Sequence, residues 1–140
     1  MTNKHTLDVI CLGRAAVDLY GEQIGSRLED ISSFSKTLGG SSGNIAFGTA
    51  RLGLKSSMLT RVGDEQMGNF VTEELARAGC DVSHVVKDPN RLTGLVLLSI
   101  KDNDSFPLLF YRNDCADMAV DIADFDADYI ASSKSLLITG

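Results

Sequence analysis

At 140 residues, 44% apolar and 23% charged, the chain has the composition of one soluble globular domain with a sizeable core, not of a disordered segment. A net charge of −6 with no basic cluster argues against nucleic acid and membrane surfaces as partners, since both are polyanionic. No apolar run approaches the length of a bilayer span. The three cysteines (Cys11, Cys80, Cys115) and two histidines (His5, His84) match no zinc module, so the thiols read as buried or incidental in a reducing cytoplasm.

In chain order, Met1-Thr2-Asn3-Lys4-His5-Thr6 leads into a single strand and not into a signal-peptide core. Leu7 to Leu12 is almost continuously apolar, the pattern of a parallel strand buried on both faces, and Gly13 ends it. Asp18 to Gly25 and Ile31 to Leu38 read as strands too hydrophilic for a sheet centre, which predicts a small peripheral sheet. Asn44 to Leu52 reads as a helix rich in small residues, stopped by Gly53. Ser57 to Val62 is the next buried strand. Asp64 is placed to cap a helix whose stripe is Met67, Val71, Leu75 and Ala78, closed by Gly79, and Asp81 to Val86 returns as a strand. This alternation predicts a right-handed α/β layer.

Leu92 to Lys101 and Phe106 to Arg112 then predict an antiparallel hairpin around Asp102-Asn103-Asp104-Ser105. Asp117 to Asp128 is acidic and poorly periodic, a short helix is placed around Tyr129 to Ser132, and Ser135 to Gly140 reads as another buried parallel strand. A strand fit for a sheet centre with nothing after it to cover it suggests the N-terminal portion of a longer α/β protein.

The most informative stretch is Leu38-Gly39-Gly40-Ser41-Ser42-Gly43-Asn44-Ile45-Ala46. Adjacent glycines let backbone approach a ligand, and Asn44 presents an amide in the first helical turn, a combination suited to a polyhydroxylated molecule. Taken alone, a plain tight turn explains it as well. Asp18, beyond the end of the first strand, suits a carboxylate accepting from two sugar hydroxyls, although a turn aspartate bonding its own backbone is the commoner use. Arg14 either pairs with Asp18 or meets a substrate carboxylate. Arg112, beside Phe110 and Tyr111, is either a surface arginine or a carboxylate clamp at the rim of a cleft.

Other motifs are less informative. Gly63-Asp64 reads as a turn glycine and a helix cap, and Asp114 and Asp117 as solvated or capping groups. The run Asp121, Asp124, Asp126, Asp128 lacks the Gly and Glu of an EF-hand and reads as a solvated acidic face. Gly43 to Thr49 has P-loop glycine spacing without the lysine, and Leu12-Gly13-Arg14-Ala15-Ala16 offers one glycine where a dinucleotide turn needs three.

Together these residues resemble the ribokinase-like (PfkB) family of sugar kinases. The match rests on Gly39-Gly40-x-x-x-Asn44-x-Ala46, Gly53, Val62-Gly63-Asp64 and Gly68, with Ser42-Gly43 as a departure just before the Asn. Similarity is greatest to the 5-dehydro-2-deoxygluconokinase branch, through Gly13 to Tyr20, Gly25 to Asp30, Phe106 to Arg112 and Cys115-Ala116-Asp117. The related 2-keto-3-deoxygluconate kinases are the nearest competitor.

The resemblance implies an α/β fold, a ribokinase-like parallel sheet with flanking helices plus a small β-sheet lid (strands at about 18–38 and 92–112). It implies that the chain as given is the N-terminal part of the kinase domain, truncated at the C-terminal side. By the same resemblance Asp18, Gly39, Gly40 and Asn44 bind sugar hydroxyls, while Arg112 reaches the substrate's acid end with help from Arg14. ATP and Mg²⁺ are the implied cofactors, held mostly by a later segment that also carries the general-base aspartate. The implied partner is a small-molecule sugar acid, with a homodimer through the lid strands as a further expectation. By this reading the chain alone is inactive. A non-catalytic sugar-binding module ending at Gly140 is the second reading, and a dehydrogenase-type half a distant third.

Overall fold

Val-Ile-Cys-Leu, apolar at every position, forms β1 (Val9–Leu12), whose first three residues are buried. The computed structural model describes residues 5–140, so the N-terminal reading of Met1 to Lys4 lies outside the described residues. Parallel to β1 on one side runs β4 (Ser56–Gly63), and beyond it β5 (Asp81–Asp88); on the other side lies β8 (Leu136–Ile138). Helices α1 (Ser41–Arg51) and α2 (Gln66–Arg77) supply the remaining core, in which Val9, Cys11, Val17, Ala46, Met58, Val62, Val71 and Leu75 pack together. Continuous apolar strands and small helix residues thus give the expected α/β layer. All three cysteines are free and buried. Burial pushes the Cys80 thiol up to about 12, which removes it from nucleophilic chemistry near neutral pH.

A second, mixed sheet stands on this layer in the order β3-β2-β6-β7: β2 (Ala16–Gly21), β3 (Phe34–Gly39), β6 (Leu95–Leu98) and β7 (Leu108–Tyr111). β2 is antiparallel to β3 and parallel to β6, and β6 and β7 form the antiparallel hairpin, turned by an Asp104 N–H donating to Asp102 Oδ1 at 2.9 Å. The small separate sheet expected from these hydrophilic strands is thus present, and within it β2 sits at the centre and not at an edge. Its period of two explains this. Val17 and Leu19 face the core, whereas Asp18 and Tyr20 take the opposite face.

β8 is parallel as predicted, with β1 as its one neighbour among the described residues. Two further expectations are corrected. Helix α2 is capped by Glu65, not by Asp64; Glu65 accepts from Met67 N at 2.6 Å and Gly68 N at 3.2 Å, while the Asp64 side chain faces solvent. The acidic run is a solvated face at Asp121, Asp126 and Asp128 but not at Asp124. Asp124 takes Arg61 bidentately at 2.7 and 2.8 Å and completes a capping box with Asp121, and Asp126 caps the short helix α3 (Ala127–Ala131).

Helix α1 begins at Ser41, three residues earlier than its apolar pattern predicts, because Gly40 takes the N-cap position at φ 88°. A Cβ there would collide with the Arg14 carbonyl and stand 3.0 Å from Ala15 Cα. Gly40→Ala is expected to cost at least ~2 kcal/mol, from left-handed strain plus the clash, read as a lower midpoint in urea titration of the complete protein; an unchanged midpoint would contradict this backbone geometry. No helix among the described residues is long and apolar enough to cross a membrane.

Candidate functional site

Strand register places four side chains in one row across the mixed sheet: Thr37 opposite Asp18, Asp18 opposite Val96, and Val96 opposite Phe110. Cross-strand partners share a face, so this row lines the side turned away from the hydrophobic core. Asp18 is its one carboxylate. It is half-buried, and among the described residues nothing donates a hydrogen bond to its side chain; Thr37 Oγ1 donates only to its backbone oxygen, at 3.5 Å. Burial raises its pKa above the ordinary carboxylate value, while the positive charge of Arg14 acts in the opposite direction and falls short. A desolvated, unpartnered carboxylate of this kind is an acceptor prepared for hydroxyl donors.

Gly39 and Gly40 close one side of the row. A Cβ at Gly39 would run into the Asp18 carboxylate, so any larger residue there would displace that side chain. The Arg14 carbonyl accepts from Gly43 N at 3.0 Å, and Ser42 Oγ donates to the Leu12 carbonyl at 2.8 Å. These bonds pin the start of α1 against the segment between β1 and β2. The Gly-Gly pair, Asp18 and Arg14 are thereby brought together.

The two arginines differ in their surroundings. Arg112 donates through Nε and Nη2 to Asp117 Oδ2 at 2.9 and 2.5 Å, and the Asp117 side chain is only 1% exposed. This corrects the solvated reading of Asp117. A short 3₁₀ segment, Ala116–Ala119, tucks it beneath Arg112, and Gly94 leaves the room: a Cβ there would lie 3.4 Å from Asp117 Oδ1. That Oδ1 has no hydrogen-bond partner among the described residues. Asp114 is the exposed one, pairing at 3.0 Å with Arg91. The Arg14 guanidinium lies 5.7 Å from the centre of the Phe110 ring, and its Nε is buried without a partner among the described residues.

Asn44 stands slightly apart. It is exposed in the first turn of α1 and borders a depression of about 330 Å³ together with Thr37, Lys36 and Phe70. A cavity of about 700 Å³ lies beside the row and holds none of the six predicted binding residues; Phe110, Leu95, Tyr111, Thr93 and Glu65 are among its walls. Among the described residues no group of three or more His, Cys, Asp or Glu is placed to hold a metal ion.

Sequence reasoning missed Phe110 as a platform, Asp117 as the partner of Arg112, and Glu65. Beyond capping α2, Glu65 accepts from Thr93 N at 3.1 Å and from Thr93 Oγ1. A carboxylate three residues before Gly68 was the available signal for this cap, but the adjacent Asp64 competed for the same reading.

The pfkB family carbohydrate kinase profile matches residues 6–140. A curated 5-dehydro-2-deoxygluconokinase of Geobacillus kaustophilus is 42% identical over 135 residues, 96% of this chain and 40% of that protein. The crystal structure of a PfkB protein from Polaromonas sp. JS666 superposes with a TM-score of 0.87 at 34% identity, covering 94% of this chain and 44% of that one. A sugar kinase of Pyrococcus horikoshii, solved in complex with ATP, gives a TM-score of 0.86 at 30% identity over 93% of this chain and 42% of its own. The chain spans about 40% of the length of the curated relatives it matches.

Proposed function

The chain belongs to the pfkB family of carbohydrate kinases, and on that premise we propose that it forms the sugar-binding part of an ATP-dependent kinase for 5-dehydro-2-deoxygluconate, a keto-deoxy sugar acid of inositol catabolism in the cytoplasm. The observation that carries this reading is the Asp18 carboxylate, unpartnered and pressed against Gly39 on a face that also holds two arginines. Asp18 accepts from two sugar hydroxyls, the Gly39-Gly40 backbone and the Asn44 amide flank them, and Arg112 and Arg14 favour the acid end. The identity to 5-dehydro-2-deoxygluconokinases supports the substrate class.

In this reading the mixed sheet covers the sugar and keeps water from the reacting hydroxyl, while catalysis comes mainly from positioning and charge stabilisation. ATP supplies the phosphoryl group and Mg²⁺ is its expected counter-ion. No described residue is assigned to either, and the 140-residue chain alone is expected to transfer nothing. The open edge strand β7, with all four residues exposed, is where two copies would pair.

The direct test gives the protein expressed from its complete reading frame ATP, Mg²⁺ and a panel of 5-dehydro-2-deoxygluconate, 2-keto-3-deoxygluconate, fructose and ribose. The expected result is a kcat/KM for the first at least about tenfold above the others, a preference of ~1.4 kcal/mol. A clear preference for a neutral sugar would overturn the acid reading, and binding without turnover would favour the non-catalytic module.

A further inference from the structure

The geometry points to a two-fold dimer in which β7 pairs with β7 of a second copy, and the partner's Phe106 closes the rim of the sugar site; this rests on the sugar-site reading and the β7 pairing above. β7 is the edge of the mixed sheet suited to it. The segment Phe106-Pro107-Leu108-Leu109-Phe110-Tyr111 carries no charge, and its five large apolar side chains are 44% to 57% exposed. Edges that avoid pairing carry charges, as β3 at the opposite edge does with its exposed Lys36.

Backbone geometry fixes the register. Ser99 N donates to the Pro107 carbonyl at 3.2 Å and Lys101 N to the Ser105 carbonyl at 3.0 Å, so Ser105 and Pro107 turn their hydrogen-bonding groups towards β6. Alternation along the strand gives Leu109 and Tyr111 the same direction and turns those of Phe106, Leu108 and Phe110 outward. Pro107, with no N–H to give, therefore leaves no gap in the outer ladder. An antiparallel pair must join outward residues to outward residues. A two-fold axis at Leu109 does so for every outward position from 106 to 112: Phe110 faces the partner's Leu108, and Arg112 faces the partner's Phe106. Phe106, Leu108, Phe110 and Arg112 alternate onto the face that bears Asp18. Arg112 is held there, since a Cβ at Gly94 would lie 3.7 Å from both Ala16 Cβ and Arg112 Cγ. Cross-strand partners share a face, so the partner's Phe106 lies beside Arg112, where a ring and a guanidinium attract. Each sugar site thus has a wall that its own chain does not supply.

Two experiments on the complete protein test this. In the first, Leu109→Cys and Leu108→Cys are treated with diamide; the native cysteines are buried and stay out of the reaction. At the axis the two Cα atoms of residue 109 are ~4.5 Å apart, within the roughly 4.4–6.8 Å that a disulfide spans, whereas the two copies of residue 108 are beyond about 7 Å. Leu109→Cys is expected to give a crosslinked dimer and Leu108→Cys none. A complete protein that sediments as a monomer, with β7 covered by a later segment of its own chain, would overturn the pairing and the inference with it. In the second, differently tagged Asp18→Asn and Phe106→Ala subunits are co-expressed, the mixed dimer is purified, and KM and calorimetric Kd are measured for the sugar of the panel that binds most tightly. Phe106→Ala alone is expected to raise both roughly tenfold with kcat nearly unchanged. In the mixed dimer the one site with an intact Asp18 belongs to the Phe106→Ala subunit and is expected to regain the wild-type values, because it receives Phe106 of the partner subunit. Values still raised there would show that Phe106 serves its own chain, and the inference fails although the pairing stands. If wild type binds the sugar but does not phosphorylate it, the kinase reading fails while Kd still decides the role of Phe106. Thermal midpoints separate loss of fold from loss of binding.

Discussion

Replacing Asp18 with asparagine is expected to lower kcat/KM of the complete enzyme by about 10²–10³-fold while raising its thermal midpoint. The activity loss follows from weakening two hydrogen bonds to a charged acceptor, each contributing roughly 1.5–3 kcal/mol. The stability gain follows from the direction of the pKa. Burial is the largest influence on Asp18 and raises its folded pKa above the ordinary 3.8, with Arg14 opposing. The folded state therefore binds the proton more tightly than the unfolded chain does, and stability falls as pH rises from 3.8 through the folded value. At neutral pH the ionised carboxylate opposes folding, and the neutral amide removes that opposition. The pair of measurements is kinetics at pH 7 and melting from pH 3 to 7. A variant that melts lower than wild type at pH 7 would show Asp18 to be a structural group and not a strained binding one.

Glu65→Ala is expected to have the largest effect on stability, about 2–4 kcal/mol in urea unfolding of the complete protein. Four donors lose their acceptor: Met67 N, Gly68 N, Thr93 N and Thr93 Oγ1. The first two are an N-cap, typically ~1 kcal/mol, and the others join α2 to the segment before β6 through a half-buried charge. Thr93 Oγ1 also accepts from Gly63 N at 3.0 Å, so the end of β4 loosens as well. Burial pushes the Glu65 pKa up, but the bonds from Thr93 and the helix backbone outweigh it and the net direction is down from 4.5. Its contribution is thus present above pH 4.5 and lost as pH falls through the lower folded value. Acid unfolding of wild type should show this loss and Glu65→Ala should not; Glu65→Gln, which keeps one acceptor oxygen, should fall between them. Parallel acid profiles for wild type and Glu65→Ala would refute the role.

What was legible in the sequence was whatever a single residue type or a simple period imposes. The apolar runs of β1 and β4, the stripe through Val71 and Leu75, and the hairpin around Asp102 to Ser105 all announce themselves locally. The glycine pair was legible because few other sequences permit that backbone. The neighbour it must avoid, Asp18, was named as a candidate on separate grounds, and only the pairing of β2 with β3 joins them.

What escaped was decided by distant partners. Asp117 and Asp124 look like solvent-facing acids until Arg112 and Arg61 are placed above them. β2 looked too hydrophilic for a sheet centre because a one-sided strand and an edge strand share a composition. Glu65 and Asp64 are chemically equivalent caps; the approach of Thr93 selects the former.

The position of β1 has a consequence for how the chain assembles. Ile10 is in register with Ser57 on one side and with Leu136 on the other. One ladder closes across a short stretch of chain and the other across a much longer one, and non-local parallel pairing is intrinsically slow. During vector synthesis every strand of the mixed sheet, ending at Tyr111, emerges before Leu136 exists. The surface around Asp18 is thus organised while the central strand still presents a bare ladder of N–H and C=O groups. In that interval β1 is the point where a nascent chain is most exposed to wrong partners.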